Sequence, residues 1–317
     1  MRKFVFLCLA LIIGLVPIIT AGCTSEAKSI TVGSKNFTEE YIIGELMAQL
    51  LEAEGFEVEL VSDLSTETLR NSMKAGDIDI CADYTGTGWM SHLAHEYTPG
   101  VDNNEIYQMV KEEEAVNGFT WLDPIWNNNT YVLVSWPDFV AENGLTTISD
   151  LAAMYKSGTK EVTMFVGFEF STRPDGFPAL EEFYDFSVPE DSLKTGAPGA
   201  SLLGLENMEC DVAMAFGTDA VISKNSWYVY QDDMAFWPPY DLVPYISTET
   251  LEKYPEIEDI INKLVATFPG GGEDATPALV AEGQKVWQAL NSQVDNDKME
   301  PDEVARQYLL DKGLISE

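Results

Sequence analysis

The residues best suited to chemistry in this sequence are aromatic rings and rare cations at the ends of hydrophobic runs. Tyr84 closes the run Ile78 to Tyr84, just before Thr85-Gly86-Thr87. Tyr131 follows Asn127-Asn128-Asn129-Thr130, Phe216 ends Val212-Ala213-Met214-Ala215, and Tyr240 follows Trp237-Pro238-Pro239. Ring faces placed this way suit ligand contact, and equally suit packing in a core. The cations stand out because they are scarce: past the first residues, Arg occurs only at 70, 173 and 306. Arg173 lies in the turn-rich segment Ser171-Thr172-Arg173-Pro174-Asp175-Gly176, and Lys35 in Gly33-Ser34-Lys35-Asn36, where a predicted strand meets a predicted helix. Amides at a helix start favour an anion there. Each cation fits either the anionic end of a ligand or a surface ion pair with the plentiful acids.

Other chemistries find less support. His92-Leu93-Ala94-His95-Glu96 has the wrong order for the His-Glu-x-x-His metal motif, and a solvated helix end is expected there. There is no Gly-x-Ser-x-Gly elbow and no Gly-rich phosphate loop, and Gly270-Gly271-Gly272 reads as a loop between helices. With 2 His and 4 Cys in the chain, a metal cluster or haem site has little material, so neither a cofactor nor an enzyme is expected. Cys81 and Cys210 read as two buried thiols rather than a bridge. The chain carries 53 acidic against 18 basic residues, a formal charge of −35, which repels phosphate backbones and argues against nucleic acid. Hydrophobic content of 45% keeps it globular, so the acid reads as a solvated coat.

These residues need elements to position them. Arg2 and Lys3, an apolar run to Ile19 and the small residues Ala21-Gly22 before Cys23 make residues 1–22 an export signal. The small pair before Cys23 resembles a lipoprotein signal, though Thr20 stands where a branched aliphatic is usual. It implies a lipidated Cys23, residues 23–29 as a tether and the protein held on the outer face of the cell membrane, with a retained N-terminal anchor as the alternative. A strand at Ile30 to Val32, a helix at Thr38 to Glu54, a strand through Phe56, Val58 and Leu60, a helix at Thr66 to Ala75 and a strand at Ile78 to Tyr84 alternate with short turns. A second cycle starts at Tyr131, and a mostly helical tail runs from Glu249 to Lys312. This is an α/β pattern with a largely parallel sheet, in two lobes around a hinged cleft, where strand ends would meet a ligand.

With those positions fixed, the segments Gly33 to Ile42, Asp83-Tyr84-Thr85-Gly86-Thr87, Arg173-Pro174-Asp175-Gly176 and Pro238-Pro239-Tyr240-Asp241 stand in a familiar order. The chain resembles the substrate-binding proteins of osmoprotectant ABC importers, which take glycine betaine, proline betaine, choline or carnitine. The resemblance runs from about Ile30 to Ile315. It implies a type II periplasmic-binding-protein clamp, with lobe I at 30–128 plus 241–317 and lobe II at 129–240. It further implies that Tyr84, Tyr131, Phe216 and Tyr240 form an aromatic cage, while Lys35, Thr87 and Arg173 hold a carboxylate. A monomer delivering its ligand to an ABC permease is the partner arrangement so implied. Two departures bear on the ligand: Phe216 stands where relatives commonly have Tyr, and Asn129 where some carry an acid.

The implied chemistry is coherent. A trimethylammonium group has no N–H to donate, so ring faces must attract its diffuse charge, at about 0.5–2 kcal/mol per ring. Charge-assisted donors suit the carboxylate at the other end. A binding protein for another small cationic or zwitterionic solute, a receptor that signals instead of importing, and a secreted hydrolase are the alternatives. The proposed ligands are neutral or singly positive, so this reading gives the acid no part in holding them.

Overall fold

The computed structural model describes residues 28–173 and 176–316. The export signal, Cys23 and most of the tether therefore lie outside the described residues, as do Pro174 and Asp175.

Among the described residues, ten strands form two sheets: β1 Ser29–Lys35, β2 Glu57–Leu64, β3 Ile80–Tyr84, β4 Phe119–Trp121, β5 Tyr131–Ser135, β6 Met164–Gly167, β7 Leu193–Gly196, β8 Val212–Phe216, β9 Tyr228–Val229 and β10 Leu242–Ser247. Their orders are β2-β1-β3-β10-β4 and β7-β6-β8-β5-β9. In the first sheet β1 runs parallel to β2 and β3, while β10 is antiparallel to β3 and β4. The second repeats this plan: β6 is parallel to β7 and β8, and β5 is antiparallel to β8 and β9. Each sheet is therefore mixed, which refines the expectation of a largely parallel sheet: four strands run one way, and one antiparallel strand stands between the central strand and an edge strand. In the first sheet that strand is β10, which joins only after the chain has built the second sheet.

The repeat extends to single hydrogen bonds. The Asp79 N–H donates to the Thr31 carbonyl at 2.9 Å and its carboxylate accepts from the Thr31 N–H at 2.8 Å. Asp211 does the same with Thr163 at the same distances. Each aspartate stands just before the strand that ends at a site aromatic, Tyr84 or Phe216, and locks that strand's start to its neighbour.

Local sequence explains the helices nearest the cavity. The helix Thr38–Ala53 starts from extended Phe37, carries Glu39 and Glu40 in its first turn, and buries Ile42, Ile43, Leu46, Met47, Leu50 and Leu51. Full burial of each such side chain is worth about 1.5–3 kcal/mol. The helix Thr66–Ala75 is capped by Ser65, which accepts from the Thr68 N–H, and stops at Gly76 in the left-handed region. The tail is helical as expected, and its helix Pro277–Asp295 packs against the helices Thr38–Ala53 and Ala220–Lys224. Gln288 donates to the Gly217 carbonyl at 3.0 Å and Asn291 to that of Thr218 at 3.1 Å. Cys81 and Cys210 are buried free thiols. Among the described residues, no helix is long and apolar enough to cross a membrane.

Candidate functional site

The strand ends converge on a cavity of about 1290 Å³ whose lining includes Lys35, Phe37, Glu39, Tyr84, Thr87, Tyr131, Arg173, Phe216 and Tyr240. All seven residues singled out in the sequence are therefore on its wall. Register places two of the rings together: Tyr131 at the start of β5 pairs with Phe216 at the end of β8. Their centroids are 5.3 Å apart, and Tyr131 meets Tyr240 edge-on at 5.5 Å. Tyr240 crosses over Gly86, where an added Cβ would lie 2.6 Å from its ring; a glycine is needed there for the approach.

Tyr84 joins this group through a ring the sequence reading left out. Phe37 stacks on Phe216 at 5.4 Å and on Tyr84 at 6.3 Å. It sits at the N-cap of the helix Thr38–Ala53, directly after β1, so the strand-end rule that marked the others would have marked it too.

The cations separate into two settings. Arg173, in the segment after β6, reaches residues beside the first sheet: one terminal nitrogen donates to Thr87 Oγ1 at 3.2 Å, the other to Thr66 Oγ1 at 3.4 Å and to Glu169 at 3.2 Å. Its guanidinium carbon is 5.8 Å from the Tyr131 ring centre. Arg173 and Thr87 are thus brought together as expected. Lys35 is turned elsewhere, 2.8 Å from Asp83 and 3.1 Å from Glu40, with its ammonium 4.6 Å from the Tyr84 ring centre.

Burial opposes charge on Lys35, but Asp83 and Glu40 outweigh it and hold the ammonium above its ordinary range. Burial likewise opposes charge on Asp83, yet Lys35 and His92 keep it well below the usual carboxylate range. One ammonium cannot satisfy two carboxylates. Glu40, fully buried and sharing that ammonium at 3.1 Å with Asp83, is pushed up to about 7 because burial outweighs the Lys35 charge.

His92 corrects another expectation. Rather than ending a solvated helix, its side chain is 2% exposed and bonds Asp83 Oδ2 through Nε2 at 2.9 Å. A wide π-helical turn over Gly88–His92 swings it inward. His95 stays outside, on Glu113. No metal-holding group of His, Cys, Asp or Glu occurs among the described residues.

The acid also has a place at the site. Glu39 is 1% exposed, lines the cavity, and accepts hydrogen bonds from the Tyr84 hydroxyl at 2.8 Å and the Asn129 amide at 3.1 Å. The Asn129 N–H in turn bonds the Tyr240 carbonyl at 2.7 Å. Nothing in the sequence distinguished Glu39 from the other acids.

Two like-built sheets with aromatic strand ends facing one cavity define a clamp-type solute-binding protein, and the comparisons with known proteins place it further. Residues 28–311 match the substrate binding domain of ABC-type glycine betaine transport systems. The chain is 31% identical over 291 residues to the carnitine transport binding protein OpuCC of Listeria monocytogenes, covering 90% of this chain and 87% of that one. It is 27% identical over 301 residues to a glycine-betaine-binding protein of Pseudomonas aeruginosa, covering 92% and 91%. A crystal structure of a glycine betaine/carnitine/choline ABC transporter superimposes with a TM-score of 0.66 at 24% identity, covering 90% of this chain and 100% of that one. The fold is that of the type II periplasmic binding proteins. The chain belongs to the family of substrate-binding domains of ABC-type glycine betaine transport systems, extracytoplasmic binding proteins and not enzymes.

Proposed function

We propose that the cavity captures a small quaternary ammonium osmolyte, glycine betaine or its relatives proline betaine, choline and carnitine, and presents it to the membrane permease of an ABC importer. The observation that carries this reading is the continuous run of ring contacts Tyr84, Phe37, Phe216, Tyr131 and Tyr240 along one cavity wall. Such faces attract a cation that has no hydrogen to donate. Arg173 and Thr87, hydrogen-bonded to each other on the cavity lining, are the donors for a carboxylate where the ligand has one. Lobe I at 30–128 plus 241–317 and lobe II at 129–240 close on the ligand, and the closed monomer is the form a permease can recognise. Cys23 carries the lipid anchor; intact mass of the purified mature protein tests this, and an unmodified cysteine there would remove it.

Calorimetric titration with glycine betaine, proline betaine, choline and carnitine tests the ligand class. Saturable binding of at least one is expected, and no heat from any of them at millimolar concentration would refute the reading.

A further inference from the structure

Glu39 is a buried carboxylate on the cavity wall with hydrogen bonds but no counter-charge. Its Oε1 accepts from the Tyr84 hydroxyl at 2.8 Å, the Asn127 amide at 2.9 Å and the Asn129 amide at 3.1 Å, and its Oε2 from the Asn291 amide at 3.4 Å. The three amides are fixed in that sense by the backbone. Asn127 Oδ1 accepts from the Leu242 N–H at 3.0 Å, Asn129 Oδ1 from the Thr218 N–H at 3.5 Å, and Asn291 Nδ2 donates to the Thr218 carbonyl at 3.1 Å. Every partner therefore offers Glu39 a hydrogen, an arrangement that suits the ionised, acceptor-only form. Burial pushes its pKa up, and the surrounding donors act against that.

No ion pair to Glu39 occurs among the described residues. Lys35, four residues earlier, is shared between Asp83 and Glu40. A buried charge left without an opposite one is costly, and a protein keeps it where something else supplies the missing charge.

We propose that Glu39 is the counter-ion for the ligand's ammonium group, and that the cleft therefore selects ligands of net positive charge, amino alcohols of the choline type, over zwitterionic betaines. This rests on the quaternary ammonium reading above. The Tyr84 hydroxyl points its hydrogen at Glu39, so the Tyr84 ring shares the negative field it presents to a cation. A betaine gains the same attraction at its ammonium end but brings a carboxylate into that field. Lys35 offers that carboxylate little, because its charge is already exceeded by Asp83 and Glu40 together. Arg173 remains, and it is shared with Glu169.

Titration of the mature chain with choline and with glycine betaine tests the proposal in the wild type, in Glu39→Gln and in Glu40→Gln. Choline is expected to bind the wild type about tenfold more tightly than glycine betaine. Glu39→Gln should weaken choline roughly 30-fold and glycine betaine clearly less, reversing or erasing the preference. Glu40→Gln, which removes one of the carboxylates on Lys35, should narrow the gap by strengthening glycine betaine. A wild type that binds glycine betaine as tightly as choline, or a Glu39→Gln variant that loses both equally, would overturn the counter-ion role while leaving the quaternary ammonium reading intact. Equal losses would instead identify Glu39 as a purely structural hub. Failure of all quaternary amines to bind would remove both readings. If circular dichroism shows Glu39→Gln unfolded, the wild-type ratio and its change in Glu40→Gln still decide.

Discussion

Phe37 shows how a residue becomes functional through position alone. It is an N-cap with no capping side-chain bond, so its type serves something other than the helix. Its ring joins Tyr84 to Phe216, and removing it takes away a face at the centre of the wall. Phe37→Ala is expected to weaken a quaternary ligand by about 0.5–2 kcal/mol, roughly 2- to 30-fold, and Phe37→Tyr far less; titration of both variants checks this. Arg173→Ala should weaken glycine betaine much more than choline, since only the betaine has a carboxylate for the guanidinium. Equal losses would mean that Arg173 acts through its contacts with Thr66 and Thr87 instead. Both cations could be picked out in the sequence because Lys and Arg are few. Glu39 could not: it is one acid among 53, and only folding reveals that it is buried on the cavity wall.

Helices and strands differ in how openly the sequence announced them. The helix Thr66–Ala75 has a serine cap, apolar spacing and a terminal glycine, all local signals, and its limits are those expected. The strand β10 has none. It contains Pro244, which normally argues against a central strand. The structure tolerates that proline because β4 is short: it pairs only with Tyr245, Ile246 and Ser247, so Pro244 lies past its end and merely accepts from the Leu122 N–H. Such a strand is specified by its neighbours in space, which no local pattern records. The helix Pro277–Asp295 makes a related point through Gly283. A Cβ there would sit 1.9 Å from the Trp126 carbonyl oxygen, a backbone atom that cannot turn aside. Alanine in a helix interior normally gains about 1 kcal/mol over glycine, but overpacking against a fixed carbonyl costs about 1–3 kcal/mol. Gly283→Ala is therefore expected to be destabilising in urea melts, and to weaken ligand binding as Gln288 and Asn291 move off Gly217 and Thr218.

At the scale of the whole molecule, the charge of −35 is more than a coat, because Glu39, Glu40, Asp83, Glu114 and Asp241 are fully or almost fully buried. Two of them set a direction for stability. Glu40 is pushed up to about 7 by burial, only partly offset by Lys35, and Asp241 to about 6 by burial, offset by Asn103 and the N–H groups of Asn127 and Asn128. Unfolded, both would titrate near their ordinary values of about 4. Between roughly pH 4 and 7 the native state thus binds more protons than the unfolded chain, so these groups stabilise the fold most at low pH and lose that contribution as pH rises through 6 to 7. Asp83 works in the opposite sense, but its pKa lies so low that its contribution is kept until strongly acid pH. Proton uptake on the acidic surface adds to the same trend by reducing self-repulsion. Tm is therefore expected to be higher at pH 5.5 than at pH 8, and calorimetric scans across that range check it; a Tm that falls instead would contradict the assignment. Glu40→Gln separates the two sources. With Glu40 no longer titrating, the rise should shrink by an amount on the order of 1–3 kcal/mol in stability, whereas an unchanged rise would place the effect on Asp241 and the surface.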